Sequence, residues 1–185
     1  MDTQATRILE MFFVDLPRLT IIGKEVDVSV KERLDGVPFQ LLESEKSSLD
    51  KSFRGYERYM YCNTYFALRG DRRGEGAMSY MIGKVFKKPI GVPNEQYQAK
   101  EFGNCRAAEG LIKADISNRK VISTDAHKLI SAKLNTEYSD EYALMNPIWT
   151  MEMYTPDYFQ DVSYRKHAVI AYFVPVVGTS AGQAI

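Results

Sequence analysis

The chain has 185 residues, of which 45% are hydrophobic and 26% charged, a composition typical of a soluble globular protein. Its 24 Lys and Arg residues balance its 24 Asp and Glu residues, which argues against a polyanion-binding surface. No apolar run is long enough to cross a bilayer, and the first residues do not resemble a secretory signal. We therefore expect a cytoplasmic protein without membrane association.

A strand followed by a helix is predicted at the start of the chain. Residues 7–30 alternate apolar and polar side chains in their second part, which predicts a strand that breaks at Pro17 and then resumes. Residues 41–61 are polar overall, with Ser44 as a candidate helix cap. The side chains spaced to share one face of this helix are Leu42, Leu49, Phe53 and Tyr56.

A glycine-rich turn between two apolar segments predicts a hairpin. Residues 62–68 and 78–86 have strand character, and residues 70–76 between them form the turn. The basic side chains that follow are expected to form a solvated strand end: Lys84, Lys87 and Lys88. Residues 87–93 are the predicted linker at mid-chain, because they contain two prolines.

The second half of the chain repeats the order of the first. Residues 95–102 are predicted to form a strand, and residues 123–125 cap a helix that extends to about Leu134. The segment between them is predicted only as a short helix with a loop, or as an insertion. Residues 147–154 and 168–176 are predicted strands, because they are short, rich in β-branched and aromatic residues, and bounded by prolines.

This layout predicts one α+β domain over residues 1–185. Its two βαββ halves span about 7–88 and 92–176, and residues 177–185 form a tail. The halves would combine into an antiparallel sheet that packs helices on one face and leaves the other face available.

Glu152 is the one acidic residue within the strand predicted at 147–154. A carboxylate there is costly unless it faces solvent, a hydrogen-bonding partner or a cationic ligand. Strand alternation places Thr150 and Tyr154 on the face of Glu152. If that face borders a cleft, three side chains of the opposite face should pack beneath the helices: Trp149, Met151 and Met153. A salt-bridged or edge-exposed carboxylate is the alternative.

Several segments carry a family resemblance through their order and spacing. They are residues 13–23, residues 79–85, residues 92–97, Pro147 with Glu152, Met153 and Tyr154, and residues 172–176. From about residue 7 to residue 176 the arrangement resembles the GyrI-like small-molecule-binding domain, also called the bacterial effector-binding domain. The two βαββ halves of that family match the predicted duplication.

The resemblance implies a ligand cleft lined by aromatic residues and a carboxylate. In that family the cleft takes lipophilic, often cationic, compounds. Glu152 matches the acid of the family's Glu-x-Tyr strand motif, and Tyr80 matches its hairpin aromatic. Ala171 stands where some relatives carry a second acid, so a single buried anion is expected. The full predicted ligand-binding set is Glu152, Tyr80, Tyr154, Thr150, Tyr65, Tyr97 and Phe173.

The leading functional hypothesis is the binding of lipophilic, cationic, drug-like effectors in this cleft, without a cofactor or a metal. The family match begins close to the N-terminus, so no DNA-binding domain and no direct nucleic-acid binding are expected. One alternative is a hydrolase of strained or electrophilic compounds that uses Glu152 with Tyr80 or Tyr154. The other is a protein-inhibitor module resembling gyrase inhibitors. A protein partner or a homodimer stays open.

Overall fold

The structure, a computed structural model, describes residues 6–72, 77–115, 122–145, 149–156 and 167–179. Over these ranges the chain forms seven strands and three α-helices, with a short 3-10 helix at Glu57–Tyr59. The strands are β1 (Arg7–Ser29), β2 (Tyr65–Arg72), β3 (Ala77–Phe86), β4 (Gln98–Asp115), β5 (Tyr142–Leu144), β6 (Thr150–Tyr154) and β7 (His167–Gly178). The helices are α1 (Val30–Leu34), α2 (Val37–Ser52) and α3 (Ile122–Glu137).

All strand pairs are antiparallel, and the strands form one sheet in the order β4-β1-β3-β2-β6-β7-β5. An additional pairing of β4 with β7 closes six of the strands into a ring. The α+β class and the antiparallel sheet predicted from the sequence are confirmed. None of the helices in the described ranges is long and apolar enough to cross a membrane.

The first strand is not broken at Pro17, in contrast to the prediction. Strand β1 pairs with β4 on both sides of this proline, through Leu16 opposite Cys105 and Arg18 opposite Gly103. Its pairing with β3 starts only at Thr20, so the missing N–H of the proline interrupts no ladder on that side. Gly103 has a φ of 83°, and an added Cβ there would lie 2.3 Å from the Pro17 carbonyl oxygen. The partner strand thus accommodates the proline with a glycine.

Strand β4 is much longer than predicted, because it includes most of the segment that the sequence left as a helix, loop or insertion. Its first part pairs with β1 and its second part with both β1 and β7. Pairing with β1 and β7 thus stabilises the second part of β4, whose sequence pattern alone does not predict a strand. The β2–β3 hairpin is confirmed by its antiparallel register, while residues 73–76 of its turn lie outside the described residues.

The helix predicted at 41–61 begins earlier and ends earlier. Helix α2 starts after Gly36, with a proline in its first turn, so Ser44 lies in its interior and donates to the Leu41 carbonyl instead of capping it. The short helix α1 was not predicted, although Ser29 and Glu32 form a capping box at its start. Helix α3 begins at Ile122, which places Asp125 inside its first turn rather than before it.

The two largest clusters of the core lie on the two faces of the sheet. One cluster combines sheet residues such as Ile82 and Tyr172 with Leu42 and Leu49 of α2 and Ile130 of α3. The other cluster contains residues of all six ring strands and none from the helices, among them Phe66, Met151 and Phe173. We call the first the helix face and the second the opposite face.

Candidate functional site

Glu152 lies in the middle of the short strand β6 and is buried, with 6% of its surface exposed. Its neighbours across the sheet are Ala67 on β2 and Tyr172 on β7. Both belong to the cluster that contacts α2 and α3, so the carboxylate points toward the helices. A buried carboxylate requires polar partners, and strands and helices together must supply them here.

The alternation predicted for this strand is correct, but the assignment of its faces is reversed. Thr150 and Tyr154 accompany Glu152, as expected. Met151, Met153 and Trp149 do not pack beneath the helices, because they lie in the cluster of the opposite face. The prediction placed the cleft on the face without helices, whereas the polar side chains around Glu152 lie on the face that the helices cover.

Three tyrosines surround the carboxylate. Tyr154 donates a hydrogen bond from its hydroxyl to Glu152 Oε2. Tyr80 and Tyr172 are 2% and 1% exposed, and both respond to the charge of Glu152. Burial, followed by the nearby carboxylate, raises the pKa of Tyr80 to about 12 and raises that of Tyr172 as well. The phenols of Tyr80 and Tyr172 therefore stay protonated at neutral pH.

Three basic side chains near Tyr80 and Tyr172 were not predicted as site residues. Arg69 pairs with Tyr80 on one side and Thr150 on the other, which puts it on the helix face one row away from Glu152. Arg33 of α1 forms a hydrogen bond with the Tyr80 hydroxyl. The ring of His127 on α3 lies 6.2 Å from that of Tyr172. Burial, and then the charges of the two arginines, lower the pKa of His127, so this imidazole is neutral at neutral pH.

One buried atom of His127 has no hydrogen-bond partner within the part of the chain that the structure describes. This atom is Nδ1. A buried nitrogen of this kind costs free energy unless a water or a ligand satisfies it. Helix α2 covers the other end of the site, where the Phe39 ring packs edge-on against Tyr154 at 6.1 Å.

Three further residues of the predicted ligand-binding set do not face the Glu152 carboxylate. Tyr172 faces the carboxylate in place of Phe173, which lies on the opposite face because adjacent strand residues alternate. Tyr97 stacks on Phe53 at the end of α2, with ring centroids 6.0 Å apart. Tyr65 pairs with Tyr154 across the sheet, but its hydroxyl donates to Asp50 of α2.

Lys84 lies near Tyr65 and is only 2% exposed, which corrects its assignment to a solvated basic cluster. Its Nζ is 3.3 Å from Asp50 Oδ1 and 3.6 Å from the centre of the Tyr65 ring. Burial lowers the pKa of Lys84, while Asp50 opposes this shift. The residues that the structure describes contain no group of three or more His, Cys, Asp or Glu side chains suited to a metal ion.

The fold is similar to several solved structures, although no protein-family model and no curated protein matches the sequence. SAV2435 bound to tetraphenylphosphonium has a TM-score of 0.60 at 13% identity, over 91% of this chain and 94% of that one. A Staphylococcus aureus MU50 protein assigned to bacterial transcription regulation has a TM-score of 0.59 at 14% identity, over 91% and 99%.

The C-terminal domain of EcmrR matches with a TM-score of 0.53 at 9% identity, over 92% of this chain and 98% of that one. Likeness at such low identities is evidence of the fold alone. The antiparallel sheet, its helices and these neighbours together show an α+β fold that is consistent with a GyrI-like fold.

Proposed function

We propose that the chain binds a lipophilic, cationic small molecule on the helix face around Glu152. The observation that carries this proposal is a carboxylate 6% exposed and in contact with the Tyr154 hydroxyl, with two further buried tyrosines near it. Aromatic walls and one negative charge are the features that recognise a lipophilic organic cation. A structural neighbour, SAV2435, is bound to a lipophilic cation, tetraphenylphosphonium.

The carboxylate and the aromatic rings would contribute differently to affinity and selectivity. A cation over an aromatic ring gains about 0.5–2 kcal/mol, the larger value applying when water is excluded. Glu152 adds selectivity, since a cation offsets the desolvation of the carboxylate and a neutral compound does not. Charge discrimination should therefore depend on Glu152, and binding of the apolar body on the tyrosines.

Arg69 and Arg33 limit how strongly a cation can bind. Both guanidinium groups are close enough to lower the pKa of Tyr80 against the effect of Glu152. A bound cation is therefore repelled by these two guanidinium groups unless their side chains move away. We infer moderate affinity, with Arg69 as the side chain that sets it.

Ligand entry requires the covering side chains to move, because Glu152 and its tyrosines are buried. Phe39 is a candidate cover, since its ring lies against Tyr154 and it belongs to α2 rather than to the sheet. A polar group of the ligand could also satisfy the partnerless Nδ1 of His127, noted for the described residues above.

A thermal-shift comparison of tetraphenylphosphonium with neutral triphenylphosphine oxide tests this proposal. A ligand at about 100 times its dissociation constant should add about 2.7 kcal/mol to the free energy of unfolding. We expect stabilisation of the wild type by the cation and a smaller effect of the neutral compound. Equal shifts with the two compounds, or none with either, would contradict a carboxylate-based site.

A second candidate function is hydrolysis of an electrophilic small molecule at the same site. It is favoured by the pairing of Glu152 with tyrosines that stay protonated, since Tyr80 has a pKa of about 12. Glu152 would take a proton from the attacking water, and Tyr80 would donate one to the leaving group. Turnover that is lost in Glu152→Gln while ligand binding remains would support this function. Absence of turnover with reactive electrophiles would leave binding alone.

A further inference from the structure

A cavity lies between the C-terminal half of α2 and the strands β2 and β3, where Tyr65 and Lys84 line it. Its volume is about 350 Å³. The charged side chains that line it are Lys46, Asp50, Arg54, Glu57 and Lys84. Tyr65 and Phe53 supply aromatic surface. None of the functions considered above uses this cavity.

Lys84 lies at the floor of the cavity and Asp50 at its rim. The lysine side chain is 2% exposed and the aspartate side chain 45%. Asp50 also accepts hydrogen bonds from Tyr65 at 2.6 and 2.7 Å and pairs with Lys46 at 3.4 Å. The Lys84 ammonium is thus held in one place, over the Tyr65 ring and beside Asp50, with its end toward the cavity.

A buried lysine in such a cavity differs from surface lysines in its chemistry. Burial lowers the pKa of Lys84, so a larger fraction carries a neutral amine near neutral pH than is the case for an exposed lysine. A neutral amine with restricted geometry is the form that attacks carbonyl carbons. The cavity offers room for a small substrate next to this amine.

We propose that Lys84 captures a small oxo acid, a carbonyl compound with one carboxylate, as an imine in this cavity. Nζ loses one proton to solvent and adds to the carbonyl carbon to form a carbinolamine. The carbinolamine hydroxyl takes up a proton and leaves as water, which gives a protonated imine. Neither an oxidant nor a reductant is needed for this step.

The charge of the cavity selects the carboxylate. Lys46, Arg54 and Lys84 are three cations, and Asp50 and Glu57 are two anions, so one positive charge is in excess among the cavity-lining residues that the structure describes. The protonated imine keeps the charge of the ammonium that it replaces. A ligand with one negative charge therefore makes the occupied cavity neutral.

Reductive trapping with glyoxylate and sodium cyanoborohydride, followed by peptide mapping, tests the proposal on the full-length chain. We expect Lys84 to be modified about tenfold faster than the other lysines. Lys84→Arg keeps the positive charge but cannot form the imine, and should lose this fast phase. Lys24→Arg is the matched control, because Lys24 pairs with Glu45 at 2.5 Å outside the cavity.

Modification spread over surface lysines, with Lys84 untouched in the folded wild type, would overturn the proposal. The peptide map of the wild-type protein is sufficient for this test, so the result does not depend on the stability of the variants. A fast phase that persists in Lys84→Arg would also overturn it. The thermal-unfolding curve of each variant establishes that folded protein is compared.

Discussion

The Tyr154 hydroxyl donates a hydrogen bond to the carboxylate of Glu152, two residues earlier on the same strand. Residues at i and i+2 of a strand share a face, so the sequence Glu-Met-Tyr carries an acid and its partner into the same buried space. A hydrogen bond to a charged group contributes about 1.5–3 kcal/mol, more than a neutral one. This hydrogen bond helps to keep a carboxylate beneath the helices.

Tyr154→Phe should destabilise the fold, because it removes a donor from a buried carboxylate while it keeps the ring. We expect the free energy of unfolding to fall by about 1–3 kcal/mol in urea titrations. Tyr56→Phe, a half-buried position after α2, is the control and should have little effect. Equal stability of Tyr154→Phe and the wild type would show that the bond has no energetic role.

Arg69→Gln should strengthen the binding of a lipophilic cation. The substitution removes a positive charge one row away from Glu152, so the ligand has less competition for the carboxylate. A fivefold to tenfold lower dissociation constant is expected, or about 1–1.4 kcal/mol. Isothermal titration calorimetry with tetraphenylphosphonium measures it.

Arg18→Gln is the control for this charge effect, because Arg18 is exposed and forms an ion pair with Glu101. It changes the net charge equally but should leave the dissociation constant unchanged. Weaker binding of the cation to Arg69→Gln would mean that Arg69 supports the site instead of competing with the ligand.

Stability should fall on acidification through His127. Its pKa is lowered in the folded chain from an ordinary value of 6.5, so the unfolded chain takes up a proton that the folded chain resists. The free energy of unfolding should therefore decrease between about pH 7.5 and about pH 5.5, and less steeply in His127→Gln. Denaturant titrations at the two pH values measure the difference. Parallel losses in both proteins would exclude His127 as the cause.

Gly83→Ala should be severely destabilising because Gly83 and Gly23 face each other across β1 and β3. A Cβ at Gly83 would lie 2.1 Å from the Ile22 carbonyl oxygen, which only backbone movement can relieve. A loss of about 3 kcal/mol or more is expected in chemical denaturation. Gly91→Ala is the control, since a Cβ there meets nothing within 4 Å. A small effect at Gly83 would contradict this packing.

Local sequence patterns predicted most strands of the fold, but not the features that depend on a partner. Alternation and β-branched residues identified β3, β6 and β7, and the hairpin turn joined β2 to β3. Pro17 was expected to interrupt the first strand, because the glycine that accommodates this proline lies on β4, far away in the sequence. The length of β4 was missed for the same reason, since its second part depends on pairing with two other strands.

The candidate site was predictable where residues share a strand and less so where they do not. The alternation of side chains along a strand predicted that Thr150 and Tyr154 share a face with Glu152. It did not predict which face of the sheet the helices cover. A shift of one residue on β7 decides between Tyr172 and Phe173, and only the register with β6 fixes it. Lys84 was assigned to solvent because the cover that buries it comes from α2.

The central claim is that Glu152 gives this site its preference for cations, and calorimetric binding of tetraphenylphosphonium to two glutamine variants tests it most directly. Glu109→Gln is the matched control, because Glu109 is a half-buried carboxylate opposite Phe173, away from the helix face. We predict at least tenfold weaker binding to Glu152→Gln, about 1.4 kcal/mol, and unchanged binding to Glu109→Gln. Equal binding to wild type and Glu152→Gln would contradict the account.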